Sequence, residues 1–468
     1  MTADQAVQGQ REWADEVFGH AELGDGRRVD RLVAMAAAVA SHPAGTVTKV
    51  FTESAEREGA FRWLESEHVD PAAVARASHR ASARRCAGAE CVYVAVDGSS
   101  LSLTNRAGHR ELGRVGNGVP VQGLHVMNSL AVDAQGVPLG MIDQRWWARD
   151  QPPAPKRKNP PKSYRVNFRE KETRHWVDAL VAVDELLAQE AAGAKPWFQL
   201  DRGADCWPVL QTAVERSLLL TVRATHNRRL APERGQRRYL RDHLVRQRVL
   251  GTYEVQVPAR PGREARLARM SVRATTVTID LRVSRKRHVQ VRLQACLAQE
   301  VRGPKGDRLE WFLLTTHPID SFEQACAVIH GYTLRWRVEE LHRAWKGGAC
   351  NVEQTQLHSR QAIVKWATIH AAVAARAVRL AYLARTTPDV PASAEFTPHE
   401  IDAAFLLAKR KRDRRKNVLL SEVIALIAKE GGFAGQYSGR PPGPQVLARG
   451  LERVAVLAKG LRNLEEMR

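Results

Sequence analysis

The six cysteines of this 468-residue chain (Cys86, Cys91, Cys206, Cys296, Cys326 and Cys350) are scattered, with no C-x-x-C pair and no histidine cluster at zinc spacing. A disulfide frame and a zinc site are thereby excluded, and buried thiols in a reducing compartment are expected. The first residues, MTADQAVQGQREWADEVF, lack the apolar core of a signal peptide. The most apolar late stretch, from Ala362 to Ala384, is broken by Lys365, His370, Arg376 and Arg379, so it is no membrane span. There is no G-K-[ST] sequence to cradle a nucleotide, and no internal repeat. These absences point to a cytoplasmic protein with no membrane partner.

Acidic residues are the scarcer charge. Against 51 Asp and Glu stand 72 Lys and Arg, a net charge of +21. An excess of that size acts at long range and favours polyanions, most simply nucleic acid. A basic but merely solvated surface is the alternative. Hydrophobic content of 44% and charged content of 26% are ordinary for a globular protein, and the length allows two to four domains.

Residues 1–85 read as a small helical domain. Its helices carry Leu32, Met35 and Val39 on one stripe, and Asp70-Pro71 reads as a cap followed by a first-turn proline. Arg27, Arg28 and Arg31 cluster at one helix entry, which suits recognition of a DNA end, although a plain bundle with solvated arginines reads equally well. From residue 91 the period changes. CVYVAVD alternates like a strand stopping at Asp97-Gly98, with further strands at 124–132, 137–142, 197–201, 218–223 and 311–315. Helices are expected at 171–189 and from Asp205, and an exposed, protease-sensitive loop at 105–119. QPPAPKRKNPPK (151–162) reads as a basic, proline-rich loop. Residues 235–310 read as a β-rich insertion into a mixed sheet flanked by helices. From about 356 to 468 the chain is helical again, a dimer contact or an intramolecular bundle.

Within GYTLRWRVEELHRAWKGG, the residues Tyr332, Arg335, Glu339 and Lys346 are three, four and seven apart. On a helix they share a sector of roughly 60°, with Leu334, Val338, Leu341 and Trp345 opposite. One stripe can pack while the other offers a phenol, a guanidinium, a carboxylate and an ammonium to a polyanion. Neighbouring Glu340 falls roughly 80° from the edge of that stripe. Asp97 and Asp201 each end a predicted strand. With Glu339 they make three carboxylates, the oxygen-donor set that a site for two divalent cations requires. Either aspartate alone would be read as ordinary turn chemistry.

The Y-x2-R-x3-E-x6-K pattern of Tyr332, Arg335, Glu339 and Lys346 resembles the signature of a group of bacterial insertion-sequence transposases. These are DDE transposases, and the likeness is closest to their Tn-five branch. WFLLTTHPIDSFEQA, DRGAD (201–205), ELGDGRR (22–28) and EGAFRWL (58–64) are similar as well. The resemblance implies an α/β, RNase H-like (retroviral-integrase-like) catalytic core at 86–355, between the helical DNA-end-binding domain and a helical C-terminal domain that dimerises. It implies that Asp97, Asp201 and Glu339 are catalytic and bind two Mg²⁺ or Mn²⁺ ions. Tyr332, Arg335 and Lys346 would contact phosphates, and Arg223 and Arg62 would be further DNA contacts. Trp311 would receive a flipped base that Trp336 helps to displace. In the DRGAD box Gly203 stands where the family has Glu.

The activity so implied is cut-and-paste DNA transposition: end nicking, hairpin formation and opening, then strand transfer. The partners are double-stranded DNA, as inverted-repeat ends and as target, and a second copy of the chain. A metal-dependent nuclease of the same fold and an inactive DNA-binding relic stay open. So does a tyrosine recombinase, since His226–Arg229 and His243–Arg246 satisfy H-x-x-R.

Overall fold

The computed structural model describes residues 4–104, 111–116, 121–149, 168, 171–232, 236–259, 262–284, 286–304, 306–348, 350–413, 417–435 and 442–466. The basic proline-rich segment lies outside them. Five helices come first: α1 (Asp4–Phe18), α2 (Gly26–Ser41), α3 (Val47–Val50), α4 (Ser54–Glu65) and α5 (Pro71–Arg84). Their starts are set by local chemistry. The Asp25 carboxylate accepts the Arg27 N–H, and Asp70 accepts those of Ala72 and Ala73 ahead of a first-turn proline.

The strands are β1 (Cys91–Ser102), β2 (Gly113–Val115), β3 (Val121–Val132), β4 (Pro138–Trp147), β5 (Lys195–Leu200), β6 (Leu219–Arg223), β7 (Gly251–Val257), β8 (Arg266–Arg282), β9 (His288–Glu300) and β10 (Glu310–Thr315). They form one mixed sheet in the order β2-β3-β1-β5-β6-β10-β9-β8-β7, with β4 also on β3. β1, β5 and β6 are parallel, and the remaining pairings are antiparallel. Between strands lie α6 (Arg174–Glu190), α7 (Trp207–Glu215) and α8 (Leu240–Val245). After β10 come α9 (Phe322–Leu334), α10 (Trp336–Lys346), α11 (Arg360–Thr386), α12 (Pro398–Leu407), α13 (Leu420–Glu430) and α14 (Pro444–Glu466).

The sheet is covered on both faces, as its parallel centre requires. Along β1, Val92, Val94 and Val96 join the core beneath α6 and α7, whereas Tyr93 and Ala95 join the core on the side of α9 and α11. The two-residue period of a strand therefore assigns Asp97 to the second side. The long helix α11 is buried almost all round and ties the molecule together. Trp366 Nε1 donates to the Gly45 carbonyl (2.9 Å) and Lys365 Nζ to the Ser66 carbonyl (2.8 Å), both in the first helical region.

Three expectations change. β1 does not stop at Asp97 but runs to Ser102, because β3 keeps pairing with it as far as Ser102↔Gly123. The loop expected at 105–119 contains β2, paired with β3; residues 105–110 and 117–119 lie outside the described ones. The β-rich insertion supplies β7, β8 and β9 and is continuous with the central sheet, since β9 pairs with β10. The signature helix is two helices, with Arg335 between α9 and α10. Of the helices after residue 355, α11 is packed within the chain, where a shared dimer surface was one expectation. Among the described residues no helix is long and apolar enough to cross a membrane, and the cysteines are free, three of them buried and three half-buried.

Candidate active site

β1 and β5 are parallel neighbours whose last paired residues are Val96 and Leu200. The next residue of each is an aspartate, so Asp97 and Asp201 lie side by side at the same sheet edge. Asp201 is held by accepting the Gly203 N–H at 2.7 Å as it caps a short 3₁₀ turn, Arg202–Ala204. Asp97 accepts the N–H of Gly98 at 2.9 Å.

Helix α10 crosses this edge over β1 and β3. Val338 (0% exposed), Leu341 and Trp345 anchor it, with Trp345 Nε1 donating to the Ala367 carbonyl at 2.9 Å. That docking turns Glu339 toward Asp97. Glu340 points elsewhere: the Tyr382 hydroxyl donates to its carboxylate at 2.7 and 2.9 Å, and Arg337 lies 3.6 Å away. Of the pair, Glu339 is therefore the one whose carboxylate faces Asp97.

Arg335 closes the cluster. Its Nη1 lies 3.4 Å from Asp97 Oδ2 and 3.4 Å from Glu339 Oε1, so in this state the guanidinium faces carboxylates, not an external anion. Burial, then the charge of Asp201, pushes the Asp97 carboxyl up to about 7, with Arg335 working in the opposite direction. Burial also raises the Tyr332 phenol. That side chain is 6% exposed and packs edge-on against Trp311, with ring centroids 5.2 Å apart. The stripe was expected to present Tyr332 to a ligand; instead its ring is buried against Trp311. Arg223 stands nearby and donates to the Glu310 carbonyl at 3.0 Å.

Lys346 lies 3.7 Å from Glu353 and lines a cleft of about 570 Å³ with Asp97, Asp201, Ser99, Ser100 and Arg149. Trp336 is 51% exposed, with the guanidinium groups of Arg335 and Arg343 each 5.9 Å from its ring centre. The N-terminal arginines divide. Arg27 and Arg62 are exposed, paired with Asp25 (3.0 Å) and Glu58 (2.6 Å). Arg28 turns inward to the carbonyls of Leu23 and His68, and Arg31 is half-buried beside Gly59. These four are far along the chain from the carboxylates and belong to the separate helical region.

Sequence reasoning passed over His342. It is 8% exposed, and one of its ring nitrogens lies with oxygens of Asp97 and Glu339 inside a 4.8 Å cluster. Its spacing of three from Glu339 was the available signal. Asp205, second aspartate of the DRGAD box, serves the fold instead. It accepts the N–H groups of Thr225 and His226 and pairs with Arg228. H-x-x-R at 226–229 is likewise tied up locally, with Arg229 3.9 Å from Asp280.

Residues 10–69 match the family described as transposase DNA-binding, and residues 372–467 match the transposase Tn5 dimerisation domain. The two matches support a Tn5-like transposase. They bracket the sheet and the carboxylate cluster without covering either. Among solved structures, the chain also matches a piggyBac transposase synaptic complex with hairpin DNA, at 10% identity and a TM-score of 0.36, covering 91% of this chain and 80% of that one. A likeness that loose carries no weight for fold or function.

Proposed function

We propose that this chain is a DDE transposase that moves DNA by cut-and-paste phosphoryl transfer. The observation that carries the reading is the convergence of Asp97, Asp201 and Glu339, from two parallel strand ends and one crossing helix. The parallel trio β1, β5 and β6, extended by antiparallel β3 and β4, supports an RNase H-like core. The matched ends support a division into a DNA-end-binding part at 1–85, a catalytic part at 86–355 and a dimerising part at 356–468.

The donor set fits hard divalent cations. Three carboxylates gather at one edge, and a guanidinium already lies between two of them where positive charge is favoured. Asp97, Asp201 and Glu339 would hold two Mg²⁺ or Mn²⁺ ions, which supply Lewis-acid stabilisation of the attacking and leaving oxygens when bound. Lys346 and Arg149, at the cleft, would draw the phosphate backbone in, and Arg335 would turn from Asp97 to a phosphate. Trp336 offers an exposed ring beside the cluster, suited to wedging a base out of its stack, and Trp311 would receive it. Water would nick the end, the freed 3′-hydroxyl would attack the opposite strand to close the hairpin, a second water would open it, and the 3′-hydroxyl so regenerated would attack target DNA, all within this one cleft.

A tyrosine nucleophile fits poorly. Tyr332 is buried with its proton held more tightly than usual, and within the two H-x-x-R sequences Arg229 lies 3.9 Å from Asp280 and the His243 ring 3.4 Å from Gln247 Nε2. The decisive test is incubation with Mg²⁺ and the DNA that flanks this gene. Hairpin intermediates and joined products are expected, and none from Asp97→Ala, which still binds DNA. A covalent protein–DNA adduct would overturn the reading, and cutting without joining would reduce it to a nuclease.

A further inference from the structure

A row of polar side chains crosses the sheet under α10. Gln144, Asn128 and Asp97 are directly opposed on β4, β3 and β1, and Asp201 follows at the end of β5. The row is dry: Asn128 is 0% exposed, His342 8% and Gln144 9%. Buried uncharged polar groups are retained only where they are bonded or used. Here they form a chain. Gln144 Nε2 donates to Asn128 Oδ1 at 2.9 Å, and Asn128 Nδ2 meets His342 Nε2 at 3.0 Å. The amide of Asn128 thus grips one side of the imidazole.

His342 follows Glu339 by three residues, so the two share a face of α10. Glu-x-x-His is the helical spacing that presents a carboxylate and an imidazole to one cation in carboxylate-bridged metal proteins. A ring nitrogen of His342, an Asp97 oxygen and a Glu339 oxygen lie within 4.8 Å of one another, which is the span of ligands around a single ion. We infer that His342 is a nitrogen ligand, through Nδ1, of the divalent cation held between Asp97 and Glu339, with Asn128 positioning its ring. This rests on the metal-site reading above and adds to it a donor that three carboxylates alone do not supply.

The amide chain suits that role. Turning both amides over keeps each heavy-atom contact and reverses the direction of donation. Gln144 Oε1 then accepts from Asn128 Nδ2, and Asn128 Oδ1 accepts the His342 Nε2–H, leaving the Nδ1 lone pair free. A ligating histidine usually gives its second N–H to such a partner, which fixes both tautomer and orientation. An imidazole also tilts selectivity away from Mg²⁺, which favours oxygen donors, toward Mn²⁺.

The test is pulsed electron paramagnetic resonance of the full chain loaded with Mn²⁺ alone, with metal affinities measured alongside. Expected is a directly coordinated ¹⁴N coupling that becomes a ¹⁵N coupling when the native protein carries ¹⁵N-histidine, so the assignment does not depend on a variant folding. His342→Gln should abolish the coupling. Both His342→Gln and Asn128→Leu should lower the Mn²⁺-over-Mg²⁺ affinity ratio by about tenfold. Mn²⁺ binding that is lost in Asp97→Asn yet shows no nitrogen coupling overturns the inference and leaves the metal site standing. No Mn²⁺ binding, or binding indifferent to Asp97→Asn, overturns the metal site and the inference with it.

Discussion

Asp97 and Asp201 occupy adjacent places on parallel strands, each one residue past the final register pair Val96↔Leu200. Two carboxylates held so close in a partly dry edge resist ionising together. The strain falls on Asp97, whose proton is retained up to about 7 through burial and the charge of Asp201.

The pH dependence of stability follows from that. In the unfolded chain Asp97 loses its proton near its ordinary value of 3.8, whereas in the folded, metal-free protein it does so near 7. The folded state therefore binds the extra proton, and this residue's contribution to stability declines as pH rises from about 4 to 7. Asp97→Asn should stabilise the metal-free protein at pH 8 by about 1–3 kcal/mol and do little at pH 4. Urea unfolding at the two pH values checks this, and equal effects at both would remove Asp97 as the strained group.

Arg335 offsets part of the repulsion from its place 3.4 Å from both Asp97 and Glu339. Arg335→Ala leaves those carboxylates facing one another, a loss of about 1–3 kcal/mol at pH 8 without metal. A divalent cation should restore the difference, so Mn²⁺ ought to raise the melting temperature more in Arg335→Ala than in the native protein. A smaller metal-induced rise in the variant would show that the guanidinium is not standing in for an ion.

Much of this was legible in the residues. The alternation of CVYVAVD, the apolar stripe of Val338, Leu341 and Trp345 and the short strand before Asp201 each carry a local period, and the structure follows them. What escaped was set by tertiary contacts. Nothing local in Asp97-Gly98 says that β3 will prolong β1, and nothing around Tyr332 announces that Trp311 of β10 will cover its ring. Asn128 and Gln144 read as unremarkable polar positions until register places them beside Asp97. His342 was overlooked because it sits between the polar stripe and the apolar one, belonging to neither pattern.

Gly331 lets α9 approach the sheet. A methyl group there would meet the Tyr93 ring at 2.6 Å and Gln199 Nε2 at 3.1 Å. Since Tyr93 is stacked on Trp197 at 5.3 Å, it has little room to yield. Gly331→Ala should destabilise the protein by about 1–3 kcal/mol despite alanine's better helix propensity. It should also slow cleavage beyond any effect on DNA binding, because α9 leads directly into the helix that carries Glu339. Denaturant midpoints and single-turnover cleavage separate the two effects. An unchanged midpoint would mean the helix shifts freely and that its close approach is incidental.

Lys346 and Glu339 lie on the same helix, yet the proposed function gives them opposite signatures toward DNA. Lys346 lines the cleft, and its nearest acidic partner, Glu353, is 3.7 Å away, so its charge is only partly neutralised and remains open to a phosphate. Each phosphate neutralised adds about 0.9 to the slope of log affinity against log salt. Lys346→Ala should therefore weaken binding most at low salt and flatten that slope by about one unit. Glu339→Gln removes a negative charge from the same region and should bind as tightly as the native chain or tighter, while cleavage disappears. Titrations of a labelled DNA end at several salt concentrations, with cleavage followed on the same substrate, compare the two directly. Equal loss of binding in both variants would mean that Glu339 shapes the DNA-binding surface instead of serving the chemistry, and the three-carboxylate reading would lose its third member.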